Sequence, residues 1–161
     1  MKLYIVEDDY ITYLKQFDNN VSNNKHNSRP YVGIIISIDE INYYAPLASP
    51  KVKHLKMKNQ IDLFKIKNGD LGVINLNNMI PILKENVKEI NFKNCDFKYS
   101  KLLKKQLDYI ILNSNKLINN AIKLRNIIIK NNNECTNYEL HLKERCTNIS
   151  LLEKVYKDFK K

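Results

Sequence analysis

The stretch "PYVGIIISIDEINYYAPL" (30–47) decides how this chain folds. Residues 30–38 form an apolar, β-branched run without the alternation of a half-exposed strand, which reads as a strand buried on both faces. Asp39 and Glu40 supply a turn, and "INYYAPL" (41–47) returns as the hairpin partner. The chain then runs into "ASPK" (48–51). A turn with no task is usually built from Gly, Asn or Asp, but the chain contains only three glycines, and this turn offers a hydroxyl, a rigid bend and a cation. Ser49-Pro50-Lys51 is either an ordinary surface turn or a device that presents Ser49 and Lys51 together.

Outward from this hairpin, the first half reads as strand and the second as helix. "KLYIV" (2–6) has the composition of a strand, and "EDDYITYLKQFD" (7–18) places Tyr10, Tyr13, Leu14 and Phe17 at helical spacing. Glu7, Asp8 and Asp9 fall at that helix's N-terminus, where the dipole favours negative charge. Residues 19–29 form a polar loop containing His26. After the lysine-rich "KVKHLKMK" (51–58), "IDLFKIK" (61–67) and "LGVINL" (71–76) flank an Asn-Gly, the strongest short-range hairpin signal present. "NMIPIL" (78–83) leads into a short strand-like "VKEINF" (87–92).

From Tyr99 to Lys130, Leu103, Leu107, Ile110, Ile111, Leu117, Ile118, Ala121 and Ile122 recur at steps of three and four, with "NSN" (113–115) as a break point. "KNNNECTN" (130–137) reads as an exposed loop. A last helix is expected over 150–159, with Ser150 and Glu153 at capping-box spacing. The expected class is α+β: a compact, highly curved antiparallel sheet with several helices packed in the C-terminal half, forming one domain over 1–161.

At 161 residues the chain is long enough to bury a core, and its 27 Lys+Arg against 17 Asp+Glu leave a net charge of +10. A domain this basic usually meets a polyanion, and nucleic acid is the leading partner class. Lysine and asparagine enrichment from an AT-rich genome is the competing explanation. Three cysteines without CxxC spacing indicate neither a zinc site nor a disulfide framework. With no signal-peptide core and no stretch of about 18 apolar residues, the expectation is a soluble, cytoplasmic protein. The absence of GxxxxGK[ST], GxGxxG, HExxH and GxSxG removes support for nucleotide hydrolysis, dinucleotide redox, zincin and α/β-hydrolase chemistry. No metal or other cofactor is expected.

What remains is a set of cations, hydroxyls and tyrosines in or beside the polar loops of the β half: Tyr10, Arg29, Tyr31, Ser49, Lys51, Lys53 and His54. Metal-free RNA cleavage needs a base for the 2′-hydroxyl proton, donors for the charge on the phosphorane, and an acid for the leaving 5′-oxygen. These residue types can fill such roles. Each also has a plain reading: Tyr10 as a helix core residue, Tyr31 as a strand residue, Lys53 and Lys56 as a solvated face.

The order "KLYIV…YITYLKQFD", "RPYVGIII", "YYAPLASPK", "LGVINLNNMIPI", "YSKLLKKQLDYI" and the closing "SLLEKVYKDF" resembles the toxins of type III toxin–antitoxin systems, the ToxN/AbiQ/CptN endoribonucleases, over nearly the whole chain. The resemblance implies a Kid/MazF-like barrel. It also implies metal-independent, sequence-selective cleavage of cellular mRNA and of the toxin's own antitoxin precursor, leaving 2′,3′-cyclic phosphate ends. The implied inhibitor is a small pseudoknotted RNA, held with several toxin chains in a closed protein–RNA assembly.

Carried over by position, the resemblance places catalysis on Ser49, Lys51, Tyr10 and Arg29, with RNA binding expected at Tyr31, Lys53, His54 and Lys56. Ala48 stands where relatives often carry a hydroxyl. Because arginine does not donate a proton near neutral pH, Arg29 is cast as a phosphate clamp. Lys51 is cast as the charge stabiliser or general acid, and Ser49 as a hydrogen-bond partner of the scissile phosphate or the 2′-hydroxyl. A non-catalytic RNA-binding module and a plain interaction protein using the helical half remain the alternatives.

Overall fold

A computed structural model describes residues 1–24 and 28–160; His26 lies outside the described residues. The central hairpin forms where the sequence places it, with β2 (Pro30–Ile38) and β3 (Ile41–Ala48) joined by Asp39 and Glu40, both at positive φ. The pairing runs Ile38↔Ile41 to Ile36↔Tyr43, then shifts register before Val32↔Ala45 and Tyr31↔Pro46. Such an irregularity strengthens local twist and bends the strands, and it sits in the longest pair of the sheet.

β1 (Lys2–Val6) lies antiparallel to β2 on the far side from β3, and the short β7 (Val87–Glu89) lines β1. The other edge of β3 is shared. Its C-terminal end pairs with β5 (Val73–Asn75), which carries β4 (Leu63–Lys65), and its middle pairs with β6 (Ile80–Pro81). The seven-stranded order is β4-β5-β3-β2-β1-β7 with β6 off the path. The sheet curls, but β4 and β7 do not meet, so the barrel implied by the resemblance is open.

Helices cover both faces of the central strands. Leu3, Val32, Tyr43, Ala45 and Leu47 face a core shared with Leu103 and Ile110 of α3 (Phe97–Leu112), Leu117, Ala121, Leu124 and Ile128 of α4 (Ser114–Ile129), and Leu142 of α5 (Asn137–Glu144). The alternate positions Val6, Tyr31 and Tyr44 point the other way, onto Tyr10, Ile11 and Leu14 of α1 (Asp8–Lys15) and Leu152 of α6 (Ile149–Val155). These buried strand side chains therefore meet a helix on their own face, and each fully buried Leu or Ile contributes about 1.5–3 kcal/mol. α2 (Val52–Lys56) is a single turn directly after the hairpin.

Three helical features depart from the sequence reading. Helices α3 and α4 break at Asn113 as expected, but Ile111 and Ile122 of the predicted stripe are exposed. Residues 137–144, which carry no helix in the reading above, form α5, whose capping box joins Thr136 to Glu139. The cap expected from Ser150 and Glu153 does not form. Asn148 caps α6 instead, accepting from Leu151 N at 3.2 Å. Glu153 Oε1 accepts from Arg125 Nη2 at 2.9 Å and from the Tyr43 hydroxyl, tying α6 to α4 and β3. A carboxylate offered a guanidinium and a phenol in a largely closed position has better partners than its own helix end.

Candidate active site

The end of β3 is shaped by the strand beside it. Gly72 leads into β5 at φ +98°, and a Cβ there would sit 2.0 Å from Ala48 O. Only glycine allows this approach. It sets Ala48 against Val73 just before Pro50 ends the strand's capacity to pair. Ser49 and Lys51 are exposed beyond that point. Lys51 is extended (φ −143°, ψ 149°) and forms the N-cap of α2 through its backbone: its carbonyl accepts from His54 N at 2.9 Å, and its side chain makes no capping bond.

A one-turn helix does not hold itself. Lys65 Nζ donates to Leu55 O at 3.1 Å and to Met57 O at 2.9 Å, closing the C-terminal end of α2. Gly69, at φ +100°, lies so close that a Cβ would be 2.6 Å from His54 O. The Asn-Gly signal of the sequence thus serves two ends: it closes the β4–β5 hairpin and seats α2.

Arg29 arrives from the other side. Asn24 is buried, its Nδ2 donates to Val6 O at 2.6 Å, and its carbonyl accepts from Arg29 N at 3.2 Å. The segment ahead of β2 is therefore moored to the end of β1. Between these elements lies a cavity of about 570 Å³ whose lining includes Arg29, Ser49, Lys51, Lys53 and His54. No carboxylate among the described residues lines it, and none forms an ion pair with Arg29, Lys51 or Lys53. Cations left unneutralised around a concave space focus a positive potential that draws phosphate.

The remaining expected residues lie elsewhere. Tyr10 is fully buried; its hydroxyl donates to Pro81 O at 2.7 Å and its ring stands edge-on to Phe159 at 5.2 Å. Burial first, then Tyr13 and Tyr156, raises its pKa far above the ordinary value. Tyr31 is likewise buried beside it in the same cluster, and Lys56 is exposed outside the cavity lining. Tyr10 and Tyr31 occupy the positions of their plain readings, a helix core residue and a strand residue.

Among the wall residues that carried no assigned role in the sequence are two side-chain amides and a phenol. Asn75 and Asn78 belong to "GVINLNNMIPI", and Tyr99 sits in the first turn of α3. Asparagines at 75, 77 and 78 interrupt an otherwise apolar run, which was the available signal. Among the described residues, no three His, Cys, Asp or Glu side chains converge as metal ligands, and no helix is long and apolar enough to cross a membrane.

This geometry has relatives. The Endoribonuclease ToxN of Pectobacterium atrosepticum is 36% identical over 172 aligned residues, covering 100% of this chain and 95% of that one. A solved structure presented as "A processed non-coding RNA regulates a bacterial antiviral system" matches with a TM-score of 0.82 at 34% identity over all of both chains. A second, presented as "selective toxin inhibition by a non-coding RNA pseudoknot", matches with a TM-score of 0.84 at 28% identity, covering 98% of this chain and 96% of that one. The family model for "Toxin ToxN, type III toxin-antitoxin system" spans residues 2–157, which include the whole cavity, and the chain belongs to that toxin family.

Proposed function

We propose that the chain is an endoribonuclease toxin, acting as one domain, that cuts single-stranded RNA at the cavity between Arg29 and the Ser49–His54 turn. The observation that carries this is the convergence of Arg29, Ser49, Lys51 and Lys53 on one concave wall that no carboxylate among the described residues lines. Such a wall suits a reaction in which the nucleophile comes from the substrate. The ribose 2′-oxygen attacks the adjacent phosphorus, negative charge grows on the phosphorane, and the 5′-oxygen leaves, giving a 2′,3′-cyclic phosphate.

In this scheme the roles divide by chemistry. The Lys51 ammonium faces the growing charge, where one well-placed donor is worth about 10²- to 10³-fold in rate. The Ser49 hydroxyl holds a non-bridging phosphate oxygen, and the Arg29 guanidinium clamps the phosphate. Lys53 sits one phosphate further along the backbone. Tyr99 offers a ring for a splayed base, the usual way proteins grip single-stranded RNA.

The same basic surface supports inhibition by a pseudoknotted antitoxin RNA, processed by the toxin from its own precursor and retained in a closed assembly with several toxin chains, with cellular mRNA as the toxic target. The test uses purified, RNA-free protein on a mixed-sequence RNA pool. Cleavage that persists in EDTA, leaves cyclic phosphate ends and fails on 2′-deoxy substrate is expected. A requirement for added magnesium, or equal cutting of the deoxy substrate, overturns the mechanism; binding without cleavage leaves a non-catalytic RNA-binding module.

A further inference from the structure

Transesterification needs a proton acceptor, and an efficient one titrates near the working pH. The cavity wall supplies hydroxyls, amides, lysines, an arginine and a phenol, and one imidazole among the described residues, that of His54. Only the imidazole has an ordinary pKa between 5 and 8. Lysine and arginine side chains are ordinarily protonated there, and hydroxyls are far too weak as bases.

We propose that His54 is the general base of the cleavage, taking the 2′-hydroxyl proton on Nε2. The assignment rests on the ribonuclease reading above and sharpens it. His54 is 3% exposed and borders the cavity, while its Nδ1 is sealed without a hydrogen-bond partner among the described residues, so Nε2 is the nitrogen left to meet substrate. The residue is fixed on both sides of its peptide unit, by its N–H to Lys51 O at 2.9 Å and by Gly69 packed on its carbonyl.

The surroundings keep the ring in the form a base requires. Burial comes first, then the charges of Lys53, Lys51 and Lys65, and all lower its pKa from the ordinary 6.5. Arg29 and Tyr99 line the same cavity from the segment before β2 and from α3, and the turn that seats α2 carries Lys67 and Asp70, both exposed. At neutral pH the imidazole is therefore uncharged and ready to accept. The proton passes from the 2′-oxygen to Nε2 as the 2′-O–P bond forms. The P–O5′ bond breaks with its electron pair on the 5′-oxygen, which takes a proton from the Lys51 ammonium. Exchange with water then returns both groups to their starting states.

The experiment is a single-turnover pH profile of RNA-free wild type and His54→Asn on the mixed-sequence RNA pool, with affinity measured on the 2′-deoxy version. The wild-type rate should rise with pH and level off, with its midpoint below the ordinary histidine value. His54→Asn should lose about 10²- to 10⁴-fold in rate and lose the acid limb, with affinity changed by no more than about threefold and with added imidazole restoring part of the rate. A variant that keeps both the acid limb and the rate overturns the proposal and leaves the ribonuclease reading standing. So does a wild-type rate that is flat through the acid range, which decides the matter even if the variant fails to fold. A wild-type chain that cuts at no pH refutes the ribonuclease reading, and this assignment with it.

Discussion

Replacing Lys51 by alanine separates a catalytic cation from a merely basic surface. The Lys51 side chain is exposed and makes neither a capping bond nor an ion pair with a carboxylate among the described residues; only its backbone carbonyl supports α2. Truncation removes little packing and should change stability by no more than about 0.5 kcal/mol. If the ammonium faces the phosphorane, the rate falls by about 10²- to 10³-fold, about 2.7–4 kcal/mol of transition-state stabilisation. Affinity falls far less, because Arg29, Lys53 and the rest of a +10 chain share the backbone. Loss of one contact lowers the salt slope of single-strand binding by about 0.7.

The assay is single-turnover cleavage of the RNA pool beside filter binding of its 2′-deoxy version and a thermal melt. Lys53→Ala, two residues along and on the same wall, is the control and should lose affinity and rate together. Lys51→Arg keeps the charge but cannot release a proton, so it should lose activity as Lys51→Ala does; substantial activity would overturn proton donation by Lys51 and leave it as a charge stabiliser. Equal, modest losses in Lys51→Ala and Lys53→Ala would refute the catalytic role of the turn.

Three further outcomes follow from the geometry. Tyr10→Phe removes the donor to Pro81 O and should cost about 1 kcal/mol, with cleavage within about threefold of wild type; a loss of about 10²-fold or more in single-turnover cleavage would put the hydroxyl back in the chemistry. Gly72→Ala forces a Cβ to within 2.0 Å of Ala48 O at φ +98°. It should cost about 1–3 kcal/mol and disable cleavage by displacing Ser49, and an active, equally stable variant would show that the strand end does not set the site. Glu153→Gln removes the charge that Arg125 and Tyr43 share; at about 2 kcal/mol for a bond to a charged group it should lower the melting temperature by about 4–8 °C while leaving the RNA site active, and an unchanged melt would show that the triad does not carry load.

Much of the β framework was legible in the chain because local and long-range demands agree there. An apolar run buried on both faces admits few readings, and β2 and β3 follow it with Asp39 and Glu40 at the turn. Asn113 splits the long helical stripe where the polar break stands. Where a local signal competes with a tertiary partner, the chain alone misleads. Thr136 and Glu139 carry the same capping spacing as Ser150 and Glu153, yet only the first pair caps a helix, because Glu153 is claimed by Arg125 on a different helix and Tyr43 on a strand.

The candidate site divides in the same way. "ASPK" announces a hydroxyl and a cation on one turn, and that proximity follows from sequence because the residues are two positions apart. Nothing in the order of residues brings Arg29 to that turn, or Asn75, Asn78 and Tyr99 to the same wall. Their convergence depends on Asn24 mooring one segment to β1, on glycines at 69 and 72 letting backbones touch, and on α3 packing across the sheet. For Tyr10, helical spacing fits a core residue and a catalytic one alike, since a period gives the face of a helix and not what covers it. The packing of α1 against Phe159 and Pro81 places it in the core, because what covers a side chain is a property of the assembled fold.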